Sequence, residues 1–245
     1  MLAEVERYAS GMQTISTFAA ELSHRRRGML RIVALPAMAM GFLPRFVASF
    51  IAGRSLASVY LHGMPSYLVV EAVASGQAEI GFAAAPPERP GLLIEPLESK
   101  AMLVVPLLHR LARRRSVGAK DLAEERFIAL AESSIFPSHA AAIPAVVGSE
   151  MVVTTPLSGI ACSLVAQDAG IALVDPFSAV DFIDRGLVIL PFEPTIDIRV
   201  SILTSAHRRL SAVSKEFIEA FRAHITTTGT SGWRRSRDAR AGRSG

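Results

Sequence analysis

EMVVTTPLSGIACSLVAQDAGIALVDPFSAVDF, residues 150 to 182, parses as strand, helix, strand, helix. Residues 151–153 are a short apolar run with two β-branched valines. Thr155 is then placed to cap a helix, with Pro156 at the first helical position, where its missing N–H costs nothing. Apolar side chains recur at helical spacing (Leu157, Ile160, Ala161, Leu164, Val165) until Gly170 supplies a stop. A second buried strand, residues 171–174, runs into Asp175-Pro176, another cap followed by a first-turn proline. Neighbouring strands joined by such a helix are expected to be parallel, which puts both strand ends and both helix starts on one sheet edge. Open α/β sheets bind ligands at that edge, and the free N–H groups of helix starts suit a small anion.

Working outward, strands are expected at 187–190 and 196–203, and an amphipathic helix at 210–225. Upstream, MLRIVAL (29–35) reads as a strand and residues 36–41 as a loop. A helix starts near Phe42, has Pro44 in its first turn and runs to about Ala52. Residues 57–61 and 79–83 are strands around a helix at 66–75, a β-α-β-α-β alternation that means a parallel sheet covered on both faces. Further strands follow at 92–96, 101–106 and 127–130, then a helix at 137–147 bent by Pro144. His109, Arg110, Arg113, Arg114, Arg115 and Lys120 crowd residues 107–121, with Asp121 the single acid. They read as solvated loop charges, with phosphate binding the alternative. The fold class is α/β: two Rossmann-like blocks, the first split by the second, with a cleft between them. Lobe 1 takes residues 28–105 and 206–225, and lobe 2 takes 106–205.

The chain has 245 residues, of which 50% are hydrophobic, ample for a buried core. No apolar run has the length of a membrane span, and the N-terminus has acids where a signal peptide has bases. The single cysteine, Cys162, excludes an intrachain disulfide and fits a reducing cytoplasm, the expected location. The pI near 9.7 comes from the end of the chain. Arg234, Arg235, Arg237, Arg240 and Arg243 against Asp238 account for the whole formal charge of +4, so the rest is neutral. Residues 226–245 are expected to be a disordered basic tail, with a weak nucleic-acid contact as the alternative. At the other end, Leu2, Val5, Tyr8, Met12, Ile15, Phe18, Ala19 and Leu22 follow three- and four-residue spacing. They make residues 2–22 an amphipathic rod of about 30 Å, and the linker helix, 1–27, ends in a basic, Gly28-terminated hinge. Pairing with a second copy is the favoured role.

The runs GMLRIVALPAMAMGFLPRFVASF, VVEAVASGQAEIGFA, HRLARRRSVGAKDLAEERFIAL and PLSGIACSLVAQDAGIALVDPFSAV resemble, in order, the effector-binding domain of LysR-type transcriptional regulators. The resemblance covers Gly28 to about Ile225, and residues 2–22 resemble the linker helix through which these regulators dimerise. It implies two lobes of the periplasmic-binding-protein type II kind and a homodimer or homotetramer. It also implies a small-molecule effector between the lobes. PLSGIACSLVAQDAGIALVDPF is most similar to members that sense amino acids or opines. Family members read DNA through an N-terminal winged helix-turn-helix, whereas this sequence starts at or inside the linker helix. DNA is therefore expected as a partner only through a missing or partner-supplied reader.

The resemblance and the strand-edge argument together nominate site residues. On lobe 1 they are Pro36, Ala37 and Met38 after the first strand, and Ala83 and Ala84 after the third. On lobe 2 they are Ser133, Ser134, Thr154, Thr155, Ser158 and Asp175. Hydroxyls and helix N–H groups would hold a carboxylate, and Asp175 would attract an ammonium group, giving an amino-acid- or opine-like effector. Capping alone also explains Thr155 and Asp175, and Met38 and Met40 are core candidates as well. Alanine and methionine on lobe 1 favour a partly apolar ligand. Catalysis has little support, and no cofactor is expected. Cys162 falls mid-helix as a small hydrophobe, and His62, His109, His139 and His207 lack metal-ligand spacing. Ser158-Gly159 forms no nucleophile elbow, and there is no glycine-rich phosphate loop. The alternatives to a regulator's sensing domain are a solute-binding module unrelated to transcription, or a dominant-negative partner subunit without a DNA reader.

Overall fold

A computed structural model describes residues 29–52, 54, 58–84, 88–131 and 148–232, with side chains to 226. The strands in chain order are β1 (Met29–Ala34), β2 (Ser58–Gly63), β3 (Ile80–Ala84), β4 (Leu92–Lys100), β5 (Met102–Pro106) and β6 (Val117–Gly118). They continue as β7 (Arg126–Leu130), β8 (Glu150–Thr155), β9 (Ala172–Val174), β10 (Leu187–Glu193) and β11 (Asp197–Ser205). The helices are α1 (Leu43–Ile51), entered through a π turn at Met38–Phe42, α2 (Ser66–Ala74), α3 (Ser158–Ala166), α4 (Pro176–Ala179) and α5 (Ala212–Gly232). A 3-10 turn, Val180–Arg185, continues α4.

Lobe 1 is the sheet β2-β1-β3-β11-β4, with β1, β2 and β3 parallel and β11 antiparallel to both its neighbours. All five residues of β3 are buried, as expected of a strand covered on both faces. Gly81 lets α2 close on it, since a Cβ there would stand 2.7 Å from Val73 Cγ2 and 2.9 Å from Val69 Cγ1. Helix α5 returns along this sheet and joins it to α1 through aromatic edges. Phe46 and Phe217 meet at 5.1 Å, Phe50 and Phe217 at 5.1 Å, and Phe82 and Phe221 at 4.8 Å. Lobe 2 is the sheet β6-β10-β5-β9, extended by the parallel pair β7-β8 through a bridge between Phe127 and Ile171.

Strand β4 runs nine residues and only Ala101 separates it from β5. The chain therefore changes sheets at Ala101 and again at 194–196. The Ala101 N–H donates to the Ile196 carbonyl at 2.8 Å, which pins the two crossings together. The expected lobe boundaries at 105/106 and 205/206 move accordingly: β5 belongs to lobe 2 and β11 to lobe 1. Hydrophobic pattern marks a strand as buried but does not say in which sheet.

Other expectations also change. Residues 36–41 are helical and not a loop, because Pro36 opens the turn while Met38 and Phe42, one turn apart, both bury. Met38 is core and Met40 is 73% exposed. Thr155 ends a strand and does not cap α3, whose N-cap is Leu157. Its Oγ1 accepts from the Leu157 N–H at 3.3 Å, a local turn that carries the chain past Pro156 before the helix starts. That helix stops at Ala166, and Asp168 adopts the left-handed conformation expected of Gly170. Gly170 has φ +155, and a Cβ there would collide with the Arg126 carbonyl. Strands β8 and β9 are not neighbours, since β7 lies between them, but all three are parallel and share one edge. The final helix continues past 225 to Gly232, so the expected tail boundary at 226 falls inside it; the Thr226 hydroxyl donates to the Arg222 carbonyl. In the basic segment, Arg110 and His109 pair with Glu125 and Arg114 with Asp121. The linker helix 1–27, the helix at 137–147, Ser133 and Ser134, and residues 233–245 lie outside the described residues.

Candidate functional site

Because β1, β2 and β3 are parallel, their C-terminal ends form one edge of lobe 1. The Met64 N–H donates to the Ala34 carbonyl and the Leu35 N–H to the Phe82 carbonyl, which draws the turns after the three strands together. The Ala84 N–H donates to Ser66 Oγ at 3.0 Å, so a hydroxyl stands at this edge that the nominated residues omit. Its signal was available, since Ser66 opens the helix expected at 66–75 and the strand-edge rule applies to every helix start. On lobe 2 the ends of β7, β8 and β9 form the matching edge, with the Ala131 N–H donating to the Thr155 carbonyl.

The two edges face each other. The π turn leaving β1 packs on α4, which leaves β9, with Phe42 edge-to-face on Phe177 at 5.3 Å. Asp181, at the start of the 3-10 turn, lies beside Gly41 and Arg45. Burial lowers the Arg45 pKa. Around the edges, Ala37, Ser66, Tyr67, Ser158 and Gly159 have N–H groups with no acceptor among the described residues. These are first-turn groups that no intrahelical carbonyl can satisfy.

The nominated side chains divide into three groups. Pro36 and Ala37 are half-buried and Thr154 is exposed. Met38, Ala83 and Ala84 are buried, so lobe 1 offers mainly backbone beside the Ser66 hydroxyl. Thr155 and Ser158 are buried where β8 passes into α3. Asp175 departs from its expected role of facing an ammonium group, because its side chain is 0% exposed. Its Oδ1 accepts from the Ser178 N–H at 2.7 Å and its Oδ2 from the Ser178 hydroxyl at 3.1 Å, and the Ser158 hydroxyl lies near enough to favour its charged form. Burial raises its pKa, and the Ser158 and Ser178 hydrogen bonds oppose that shift. Asp175 therefore caps the start of α4, beside the start of α3. Cys162, buried nearby, has its thiol pushed well up by burial and then by the Asp175 charge. No group of His, Cys, Asp or Glu among the described residues is arranged to hold a metal ion.

The family described as the LysR substrate binding domain matches residues 23–226. The chain belongs to the LysR family. A member from Rhizobium meliloti, the octopine catabolism/uptake operon regulatory protein OccR, is 39% identical over 221 residues, which is 89% of this chain and 73% of that protein. The regulatory protein NocR of Agrobacterium tumefaciens (strain T37) is 32% identical over 203 residues, 82% of this chain and 68% of that one. Among solved structures, the BenM effector binding domain with its effector benzoate matches with a TM-score of 0.61 and 20% identity, covering 82% of this chain and 94% of that one. The two lobes of this LysR domain thus have the periplasmic-binding-protein type II arrangement, with the edges above on either side of the cleft. No helix among the described residues is long and apolar enough to cross a membrane.

Proposed function

We propose that the chain is the sensing part of a cytoplasmic LysR-type transcriptional regulator and that its effector is an opine or a related amino-acid derivative held between the lobes. The reading is carried by the cleft edges, where unengaged N–H groups and hydroxyls converge from both lobes while the nearest nominated acid, Asp175, is turned inward. Such a site favours carboxylates over cations. Octopine, which carries two carboxylates on either side of a secondary amine, matches that donor set, and the 39% identity to an octopine operon regulator supports the same class. Contacts are assigned to Pro36, Ala37, Met38, Ser66, Ala83 and Ala84 on lobe 1 and to Ser133, Ser134, Thr154, Thr155 and Ser158 on lobe 2. Asp175 acts behind them, capping α4 beside Ser158. Residues 1–27 pair two copies, and DNA is contacted through a helix-turn-helix domain outside this sequence. An effector that binds one lobe arrangement better than another shifts the oligomer between states.

Calorimetric titration of the chain with octopine, with arginine as control, tests this. Octopine should bind, and Thr155→Val should weaken it about tenfold, the worth of one hydrogen bond at roughly 1.4 kcal/mol. If neither compound binds and neither raises the melting temperature, the opine reading is lost.

A further inference from the structure

Lobe 2 carries a row of cations that the effector reading leaves unused. The row begins after β5 and follows two 3-10 turns, Arg110–Arg113 and Ala119–Leu122, on either side of the edge strand β6. The fold engages some of these charges. Arg110 pairs with Glu125 and donates to the Asp121 carbonyl at 3.0 Å, and Arg114 pairs with Asp121 at 3.3 Å. Asp121 also accepts from the Gly118 N–H at 2.9 Å, and His109 Nε2 lies 3.1 Å from Glu125. Arg113, Arg115 and Lys120 are left over: all three are exposed, and their side chains have no partner among the described residues. Glu124 is the one exposed acid between residues 107 and 126. Leu111 and Ala112 are buried beneath the first turn, so the free cations stand on an ordered support.

We propose that this flank of lobe 2 is a sequence-independent DNA contact, in which Arg113, Arg115 and Lys120 each meet a backbone phosphate. Arg113, Arg114 and Arg115 are consecutive, so their like charges repel one another, and only Arg114 gains a partner from the fold. A polyanion relieves that repulsion and releases its own counterions on binding. The guanidinium fork matches phosphate oxygens, and the two buried residues of the turn leave charge but no apolar surface between the cations. A transcriptional regulator works beside DNA, so the partner of matching charge is at hand. Phosphate contacts position a protein on the duplex without reading its bases, and this contact adds to a separate reader without replacing it. It does not depend on the effector reading.

Fluorescence anisotropy of a labelled duplex of arbitrary sequence, titrated with the full chain over a salt series, tests this. The wild-type chain should bind at low salt, weaken as salt rises and treat unrelated sequences alike. Arg113→Ser/Arg115→Ser/Lys120→Ser should bind more weakly and flatten the slope of log K against log salt by about 2.7, which is about 0.9 for each of three phosphates. Its melting temperature should match the wild type, because the substitutions remove no side-chain partner. Arg234→Ser/Arg235→Ser/Arg237→Ser measures the separate contribution of the C-terminal arginines. A wild-type slope in the lobe 2 variant, with the loss confined to the C-terminal one, overturns the assignment. So does a wild-type chain that ignores duplex at low salt. Displacement of the duplex by polyglutamate at a lower charge concentration than by unlabelled duplex also overturns it, and assigns the flank to an acidic protein surface.

Discussion

Asp175 changes role between sequence and structure, and the change has a measurable consequence. In sequence it is an acid before a first-turn proline at a sheet edge, equally suited to capping and to holding an ammonium group. In the fold it is fully buried and hydrogen-bonded only inward. Burial raises its pKa, so the folded chain binds the proton more tightly than the unfolded one. Its contribution to stability is fully present below the unfolded value of about 3.9 and is lost as pH rises through the raised folded value. Asp175→Asn should remove that slope, so the wild-type unfolding free energy should fall relative to the variant's as pH rises, read by urea denaturation along a pH series. Glu95 works in the opposite sense: its hydrogen bonds from Arg222 hold it below the usual carboxylate range, so its contribution is lost on acidification. Cys162 supplies a second prediction at this scale. Its thiol is buried, and burial followed by the Asp175 charge disfavours the thiolate. A thiol reagent should therefore label it only at the rate of unfolding. The identity of both residues was legible from the sequence; their orientation was not, because a cap and a ligand contact use the same residue type.

At the scale of elements, the sequence reading was best where pattern and punctuation agree. The strands around 29–35, 79–83 and 171–174, the helix at 66–75 and the helix expected between Pro156 and Gly170 were legible to within a few residues. The errors fall at element starts. Pro36 begins the first helix six residues before Phe42, because Gly41 and the alternating methionines resemble a loop while the buried Met38 and Phe42 hold a turn. Thr155 and Pro156 give the signature of a capped helix start, yet strand pairing with β7 keeps Thr155 extended and delays α3 to Ser158. Sheet hydrogen bonds outweigh a local capping preference of about 1 kcal/mol. One element-level dependence is sharp. Helix α5 is held to α1 by Phe217 and Phe221 against Phe46, all buried. Phe46→Ala should cost about 3–5 kcal/mol in chemical denaturation, whereas truncating the exposed Met40 should cost little.

For the whole molecule, the two lobes are joined in ways that local pattern does not record. The crossings at Ala101 and Ile196 lie beside each other, so the lobes share one short hinge, and the lobes also meet where Phe42 packs on Phe177. Residues far apart in the sequence thereby meet across the two lobes. Dimerisation belongs to this scale too. Removing residues 1–24 should convert a dimer to a monomer in size measurements if the linker helix pairs as proposed; an unchanged size would assign pairing to the lobes themselves.

The sequence by itself determined that this chain builds parallel α/β units, where most strands and helices lie, and that their helix starts gather at strand edges. Those facts follow from periodicity, prolines and caps, which act over a few residues. Tertiary structure alone decided which sheet each crossing strand joins, that Asp175 faces inward, that Ser66 reaches the edge, and that Phe42 meets Phe177. Each depends on contacts between segments far apart in the chain, where packing and desolvation choose among orientations that are equivalent at the level of local pattern.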